Sequence, residues 1–452
     1  MPSVFIYLGV TLLVICIWFM LLKRPIYESI FVSFIVLVAV TNSWGKLWGY
    51  IHTGLKTSLL YSMAVFIAMS LLLTKTKIID SAVAIILALL GRVTGGAGYV
   101  AVVASAFMGA LSGSGAGNVM ATGTITIPAM KKSGFPSELA ANVESASSCL
   151  GNMIPPSSNI VAALGAFLAL YPESTVTTGR FWMVCWGCSL WFILQRLVMV
   201  FAFCKYYKVK PVEKEDCPSI KETLKYGWQG LLLPIIILLP FVFDFVFKDN
   251  FFTERLGAEG AKYMSSSLLF LVAGVGAIYA VLISKDRKAI RLNEMAKMFG
   301  ESIKSISPVV GTCMFGYMMG ALYADLDIAE SLQLFWGGLD LGVVGIAMIV
   351  PLLTCFMGMI IPGSSLVVMF GPVLITLFAS VGVNPLLVAA MLPCICGVME
   401  GMTPPLALGM YAGMSLAESD FSKTVKNNMW WVGGQYLMEV VVLLGLLPIL
   451  GL

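Results

Sequence analysis

The stretch that decides the fold is Pro136–Ala163, which reads PSELAANVESASSCLGNMIPPSSNIVAA. A second stretch with the same layout, Pro385–Ala412, reads PLLVAAMLPCICGVMEGMTPPLALGMYA. Each begins with a proline and carries a Pro-Pro pair 19 residues later, and the two pairs are 404 − 155 = 249 residues apart. At this offset 7 of the 28 positions are identical, which predicts an internal structural repeat.

The composition predicts a protein whose solvent is a lipid bilayer. Hydrophobic residues make up 59% of the 452 residues and charged residues only 12%, about half of the charged fraction of a soluble protein. The net charge of +4 is small and scattered, so nucleic acid is not an expected partner. Several apolar runs approach or reach the ~20 residues that a helix needs to cross a membrane. The strongest runs are Val4–Leu22, Leu59–Leu73, Phe181–Phe203, Gly230–Val246, Ser265–Ile283 and Met429–Leu450.

Lysine and arginine in the short loops predict the topology, because cytoplasmic loops are enriched in both. Lys23-Arg24 places the loop after the first span in the cytoplasm, and the basic segment 205–227 marks a central cytoplasmic loop. The first repeat follows Lys131-Lys132 and runs outward, whereas the second begins outside and runs inward to Lys423. The sequence therefore predicts about ten full spans, both termini outside, and two repeats of opposite orientation.

Before each repeat lies a region too long for a loop and too broken for a single span, at 99–130 and 343–380. Each contains a Gly/Ser-rich break, Ser112–Gly115 in the first and Pro362–Ser365 in the second. We expect two half-length helices that enter and leave the membrane on the same side, forming a re-entrant hairpin. A segment suited to the membrane interface precedes each hairpin, at 78–92 and 327–341.

The breaks also predict an ion site. Proline removes a backbone donor and frees the carbonyl one turn earlier, so a Pro-Pro pair exposes carbonyls near the midplane. Carbonyl and hydroxyl oxygens suit a hard cation such as Na⁺, while half-helix N-termini favour an anionic group. Alternatively, Gly, Ser and Pro serve only to allow close helix packing and kinks. This explanation is the weaker one, because the breaks occur twice at matching positions. The oxygen-bearing candidates are Ser112, Ser114, Asn118, Ser157, Ser158 and Asn159 in the first half and Ser364, Ser365 and Thr403 in the second.

Three carboxylates, Glu144, Glu400 and Glu439, fall within predicted spans. A charge at that depth usually faces a cavity and marks a pathway. Glu400 lies beside the second break, where Gly151 stands in the first repeat, and is the strongest candidate for a cation ligand or proton acceptor. The alternative role for Glu400 is to cap freed N–H groups.

The ten cysteines do not predict metal or disulfide chemistry. Nine lie in or near apolar segments, and the Cys185-x-x-Cys188 spacing falls inside an apolar helix of a chain with a single histidine. We interpret the cysteines as small buried hydrophobic residues.

The motifs resemble those of a known transporter family. The run Thr122–Lys131 (TGTITIPAMK), with Ile154–Ser157 (IPPS) and Thr403–Leu408 (TPPLAL), resembles the large membrane subunit of tripartite ATP-independent periplasmic (TRAP) transporters. The resemblance extends from about Leu59 to the C-terminus. It implies an elevator-type permease of the bacterial inner membrane that imports a small carboxylate with Na⁺ as coupling ion and no other cofactor. It also implies two partners, a periplasmic substrate-binding protein and a separate small four-helix membrane subunit.

The resemblance also implies a division of the chain into scaffold and transport domain. The scaffold comprises 1–57, 58–93 with the first interfacial arm, 180–304 with the cytoplasmic loop 205–227, 305–342 with the second arm, and 423–452. The transport domain comprises two halves, 94–179 and 343–422, each made of a hairpin and a broken helix.

The expected site residues lie at the hairpin tips and breaks. Glu400 is included among the expected Na⁺ ligands because of its position beside the second break. The full set is Ser112, Gly113, Ser114, Asn118, Pro155, Ser157, Asn159, Gly363, Ser364, Ser365, Glu400, Thr403 and Pro404. The expected substrate contacts are Ser114, Asn118, Ser158, Ser365 and Thr403. Glu400 departs from the family pattern, because many relatives have a small or hydroxyl residue there.

Three alternatives compete with the tripartite permease. A stand-alone Na⁺/dicarboxylate symporter of related architecture would need no binding protein. A membrane-embedded enzyme would need a convergent acid, base or metal set, and the chain offers one histidine and few deep carboxylates. A channel would not need inverted, broken repeats around a closed site. We therefore expect no enzymatic activity.

Overall fold

The computed structural model describes residues 2–56, 58–76, 78–113, 115–213, 215, 217–284, 286, 290–328, 330–331, 334 and 341–452. Within these ranges the chain forms nineteen α-helices. They are α1 Pro2–Ile15, α2 Ile26–Val40, α3 Leu47–Lys56, α4 Ser58–Lys75, α5 Ile78–Leu90, α6 Gly96–Ser112, α7 Gly115–Lys132, α8 Ser137–Leu150, α9 Ser158–Leu170, α10 Thr178–Tyr207, α11 Ile220–Gly227, α12 Leu232–Phe247, α13 Thr253–Ile283, α14 Leu292–Asp325, α15 Gly342–Gly358, α16 Gly363–Ser380, α17 Pro385–Gly397, α18 Leu408–Ala417 and α19 Phe421–Leu443. Short 3₁₀ turns cover Trp44–Lys46, Gly151–Met153 and Trp228–Leu231, and π-helical turns cover Cys16–Leu21 and Lys248–Phe252.

The repeat predicted from the Pro-Pro pairs is visible as two matching runs of four helices. Helices α6, α7, α8 and α9 contain 17, 18, 14 and 13 residues, and α15, α16, α17 and α18 contain 17, 18, 13 and 10. Each predicted hairpin is a pair of helices joined by a short turn, and each Pro-Pro pair lies in a non-helical break between two half-helices. We call α6–α7 hairpin 1, α15–α16 hairpin 2, and the segments 151–157 and 398–407 break 1 and break 2.

Six helical segments among the described residues, some made of two consecutive helices, are long and apolar enough to cross a membrane by length and composition. They are Trp44–Leu73, Ser137–Leu170, Thr178–Tyr207, Tyr263–Ile283, Ile306–Asp325 and Gly363–Ser380. The predicted count of about ten full spans also included shorter apolar helices and stays a prediction. The first predicted span illustrates the difference, because α1 gives way to a π-helical turn at Cys16.

The first broken helix, α8 with α9, is deeply buried in the molecule. Every residue of α8 from Leu139 to Leu150 is buried, and so is every residue of α9 from Ser158 to Phe167. By contrast, α10 buries fewer than half of its residues and exposes apolar side chains such as Leu190 and Phe201. Exposed apolar surface of this kind suits contact with lipid or another membrane protein. The buried interior therefore holds a part of the sequence that is unlike a continuous membrane helix.

The two predicted interfacial arms differ in how much of each is described. The first is helix α5. The second, at 327–341, lies mostly outside the described residues, which include only 327, 328, 330, 331, 334 and 341 of it.

Candidate functional site

A cavity of about 180 Å³ lies where the two hairpins and the two breaks meet. We call it the central cavity. Both repeats contribute to its wall, and α14 adds one apolar side chain, Val309. The lining residues are Gly113, Gly115, Ala116, Cys149, Asn152, Ser158, Asn159, Val309, Pro362, Gly363, Ser364, Glu400, Gly401, Leu408 and Gly409.

Four helix N-termini reach the central cavity. The first residues of α7, α9, α16 and α18 are Gly115, Ser158, Gly363 and Leu408, and all four line it. The first turn of an α-helix has backbone N–H groups without intrahelical partners and carries a partial positive charge. The cavity is thus suited to an anionic group of a ligand without any lysine or arginine among its described lining residues.

Glycines allow each hairpin tip to sit against its own break. Gly113 adopts a left-handed conformation (φ 62°), and a Cβ there would lie 2.7 Å from the Oγ of Ser158. On the next turn back, the Cα atoms of Gly109 and Gly151 approach so closely that a Cβ on either would fall on the other's backbone. Backbone at the tip and backbone at the break are therefore brought within reach of one bound ion or ligand.

The second repeat replaces this glycine pair by a glycine and a carboxylate. Gly358 and Glu400 occupy the positions of Gly109 and Gly151 at the 249-residue offset, and a Cβ on Gly358 would lie 2.5 Å from the Cβ of Glu400. The Oε1 atom of Glu400 accepts a hydrogen bond of 3.1 Å from the backbone N–H of Gly363, the first residue of α16. Glu400 therefore caps a helix N-terminus, and it also lines the central cavity.

One polar residue that the sequence did not single out joins the two halves. Asn152 in break 1 donates through Nδ2 to the carbonyl of Gly397 at the end of α17, at 3.3 Å. Asn118 on hairpin 1 donates to the carbonyls of Ser105 (2.8 Å) and Ser148 (3.3 Å), so it ties hairpin 1 to α8. An amide three residues before the Pro-Pro pair was the sequence feature that could have indicated Asn152.

Three buried side-chain oxygens near the breaks have no hydrogen-bond partner among the described residues: Asn118 Oδ1, Asn152 Oδ1 and Ser365 Oγ. A buried polar atom left unpaired costs about 1–3 kcal/mol. Such oxygens fit the coordination of Na⁺, which prefers oxygen ligands as other hard cations do. The donor set present is therefore compatible with the predicted coupling ion.

The predicted site residues fall into three groups. Those that line the central cavity are Gly113, Ser158, Asn159, Gly363, Ser364 and Glu400. Those that lie behind the wall are Asn118, Pro155, Ser157, Ser365, Thr403 and Pro404. Ser157 donates to the carbonyl of Asn152 (2.6 Å) and Thr403 to that of Met399 (2.9 Å), so both hydroxyl hydrogens are engaged within their own breaks. Ser114 and the side chain of Ser112 lie outside the described residues.

A buried charge network contains Glu439, which the sequence singled out, together with Arg196 and Gln435, which it did not. Arg196 on α10 is fully buried and donates to the side chains of Gln195 and Gln435, with a longer contact of 3.5 Å to the carbonyl of Ala146 on α8. Gln435 on α19 in turn donates to Glu439, at 2.8 Å. The network connects α10 and α19 with the first broken helix. Arg196 lies inside a long apolar helix, and its partners Gln435 and Ala146 lie 239 and 50 residues away in the sequence.

Solved structures and sequence relatives agree with this architecture. MtrF of Neisseria gonorrhoeae superposes with a TM-score of 0.65 over 90% of this chain and 83% of that chain, at 12% sequence identity. At this identity the likeness shows the fold alone, and it defines the class: an all-α, multi-pass membrane protein with a transporter fold.

The family follows from the sequence itself. Residues 10–450 match the family described as "Tripartite ATP-independent periplasmic transporter, DctM component", and the chain belongs to that family. It is 26% identical over 376 residues to the C4-dicarboxylate TRAP transporter large permease protein DctM of Vibrio cholerae, covering 79% of this chain and 77% of that protein. It is 22% identical over 399 residues to the sialic acid TRAP transporter large permease protein SiaM of the same organism, covering 87% and 86%. The resemblance stated from the motifs is confirmed, and the family is one of transporter permeases rather than enzymes.

Proposed function

We propose that this chain is the permease subunit for Na⁺-coupled secondary import of a small organic acid by an elevator mechanism. The observation that supports the proposal most directly is the central cavity, where four helix N-termini from both repeats surround about 180 Å³. This volume suits a small metabolite rather than a drug-sized ligand, whose pockets are roughly 300–1,000 Å³. A carboxylate of the substrate would be held by backbone N–H groups of the first helical turns.

Na⁺ would be coordinated by oxygen atoms of the hairpin tips and the breaks on either side of the substrate. Ser365 and Asn118 each present a buried oxygen without a described partner, and Glu400 supplies a carboxylate at the cavity wall. Binding of Na⁺ would offset the repulsion between Glu400 and an acidic substrate, because opposite charges at close range attract strongly in a dry site. Ion and substrate would then be taken up together, as symport requires.

We place the chain in the bacterial inner membrane with two partners. One is a small four-helix membrane subunit on a separate chain, and the other is a periplasmic protein that delivers the substrate. The hairpins and broken helices, at 94–179 and 343–422, would move as the transport domain against the remaining helices. The relationship to tripartite permeases supports this arrangement.

Reconstitution tests the proposal. Proteoliposomes containing the chain and its small subunit, supplied with binding protein and radiolabelled succinate, sialic acid or other small acids, should accumulate one of them only under an inward Na⁺ gradient. Accumulation that persists after the Na⁺ gradient is collapsed would contradict Na⁺ coupling. Uptake without any binding protein would favour a stand-alone symporter.

Ser365→Ala should raise the Na⁺ concentration for half-maximal uptake by about tenfold, equivalent to about 1.4 kcal/mol of ion-binding free energy. The physical reason is the loss of a buried oxygen that has no described protein partner. Ser380→Ala is the matched control, because Ser380 lies at the end of the same helix and donates to the carbonyl of Leu377, at 2.6 Å. Equal Na⁺ dependence in both variants would remove Ser365 from the ion site.

Glu400→Gln should also weaken the response to Na⁺ while leaving the helix cap in place. The glutamine oxygen can still accept from the N–H of Gly363, so only the charge is lost. The measurement is uptake as a function of Na⁺ concentration and pH, with the exposed Glu259→Gln on α13 as the control. An unchanged profile for Glu400→Gln would reduce this residue to a cap.

A further inference from the structure

A second buried carboxylate lies outside the central cavity. Glu144, in the middle of α8, is fully buried and accepts hydrogen bonds from four hydroxyl groups. Ser105 on α6 donates at 2.9 Å and Ser148 on α8 at 3.1 Å. Thr122 and Thr126 on α7 also donate to it. We call these four side chains the hydroxyl cage of Glu144.

The backbone around Glu144 is shaped for this carboxylate. The side chain of Asn118 on α7 donates to the carbonyls of Ser105 on α6 and Ser148 on α8, which ties the three helices together. Gly123 faces the carboxylate, and a Cβ there would lie 3.2 Å from the Cγ of Glu144. All three helices therefore contribute to one enclosed polar site.

The second repeat has no such site, although its helices have similar lengths. At the 249-residue offset, Pro393 replaces Glu144, Gly371 replaces Thr122 and Ile375 replaces Thr126. Helices α15, α16 and α17 pack together without a buried carboxylate at that position. The fold itself therefore does not require Glu144, and a specific role in the first repeat becomes the better explanation for its presence.

The charged neighbours of Glu144 are directed elsewhere. On α7, Lys131 donates to the carbonyl of Ala417 at 2.9 Å. On α10, the bonds described for Arg196 go to Ala146, Gln195 and Gln435. The other titratable or charged groups on the helices packed against α8 and on α8 itself are Tyr99, Lys132, Glu138, Cys149, Arg180, Cys185, Cys188, Cys204, Lys205, Tyr206, Tyr207, Tyr411, Lys423, Lys426, Tyr436 and Glu439. The four hydroxyl groups are thus the described hydrogen-bond donors to the carboxylate.

The geometry favours a proton over a metal ion as the partner of this carboxylate. Burial disfavours the ionised form of a carboxylate, whereas hydrogen bonds from hydroxyl groups favour it. With four such donors the two forms are brought closer in free energy, so that a proton can be both bound and released. Hydroxyl oxygens already contact both carboxylate oxygens, and a Na⁺ ion could enter only if they moved apart.

We propose that Glu144 and its hydroxyl cage form a proton-binding site within the first repeat. Uptake of one proton forms an O–H bond on a carboxylate oxygen and changes the charge of the cage from −1 to zero. Ser148 donates to Glu144, and the next residue along the chain, Cys149, lines the central cavity. Glu144 itself is not among the proposed Na⁺ ligands, and Asn118, which is one of them, contacts the backbone of Ser105 and Ser148 in the cage.

Infrared difference spectroscopy on the purified protein in lipid vesicles tests this proposal without a substrate or an ion gradient. A pH titration should show the C=O stretching band of a protonated carboxylic acid, and Glu144→Gln should remove it. Glu400→Gln and Glu439→Gln are the controls, because each removes another buried carboxylate and should leave this band in place. Absence of a titrating band that depends on Glu144 would overturn the proposal. A band abolished by Na⁺ at constant pH would also overturn it, in favour of a cation site.

A pair of threonine variants keeps the test valid if Glu144→Gln does not fold. Thr126→Val removes one donor to the carboxylate, so the band should titrate about one pH unit higher, as expected for loss of one hydrogen bond to a charged group. Thr124→Val is the matched control, because Thr124 is an exposed residue of the same helix whose hydroxyl donates to the carbonyl of Ala121. Identical titrations for both variants would show that the cage does not act on the proton. Failure of Na⁺-coupled uptake would leave these spectra unaffected.

Discussion

Replacing Gly109 with alanine should produce a large loss of stability for the addition of a single methyl group. The new Cβ would fall on the backbone of Gly151, and it would also lie 2.9 Å from the amide nitrogen of Asn118. Overpacking of a core costs about 1–3 kcal/mol when side chains can adjust. Here the obstacle is backbone at a break, so we expect a cost at or above the upper end of that range.

The effect should appear as a lower midpoint of thermal unfolding for the purified protein, together with loss of uptake. Gly320→Ala on α14 is the control, because a Cβ at that glycine meets open space. If Gly109→Ala and Gly320→Ala unfold at the same temperature, hairpin 1 does not rest on break 1 in the way described.

Arg196→Met should have a comparable effect through charge rather than volume. Arg196 is the buried positive charge of the network that reaches Glu439 through Gln435, and methionine would leave that carboxylate without it. Breaking a direct buried ion pair costs about 3–5 kcal/mol, because the other charge stays buried and uncompensated. Gln435 lies between Arg196 and Glu439, so we expect a cost towards the lower end of that range. The measurement is again thermal unfolding, with Arg180→Met as the control in an exposed position at the start of the same helix.

The double variant Arg196→Met with Glu439→Gln separates charge from packing. Removal of both charges should recover a substantial part of the lost stability, since neutral groups of similar size replace a buried pair at little cost. A double variant that is no more stable than Arg196→Met would show that the arginine stabilises α10 and α19 by packing alone.

The hairpins and breaks could be predicted because their signals are local. Gly/Ser tips and Pro-Pro pairs interrupt otherwise apolar helices, and the 249-residue offset makes each copy support the other. The breaks consequently lie where the sequence placed them, and six of the predicted site residues line one cavity. The internal repeat and its Gly, Ser and Pro interruptions were therefore sufficient to predict the hairpins and the breaks.

The polar contacts between helices could not be predicted, because they depend on which faces meet. Asn152 bonds to Gly397 across 245 residues and Arg196 to Gln435 across 239. A sequence shows that a buried polar side chain needs a partner but not where the partner lies. Glu400 illustrates the same point, because only the structure revealed the N–H group of Gly363 that it caps.

The four helix N-termini limit how the specificity of the central cavity can change during evolution. Their positive character comes from peptide groups, which every amino acid carries, so point mutations cannot readily abolish it. Side chains of the wall such as Asn152, Ser158 and Ser364 can be substituted, while the helix N-termini continue to favour an anionic group. We therefore expect that evolution alters the size and shape of the accepted acid through the wall residues. Conversion to a carrier for positively charged organic substrates would require a different backbone.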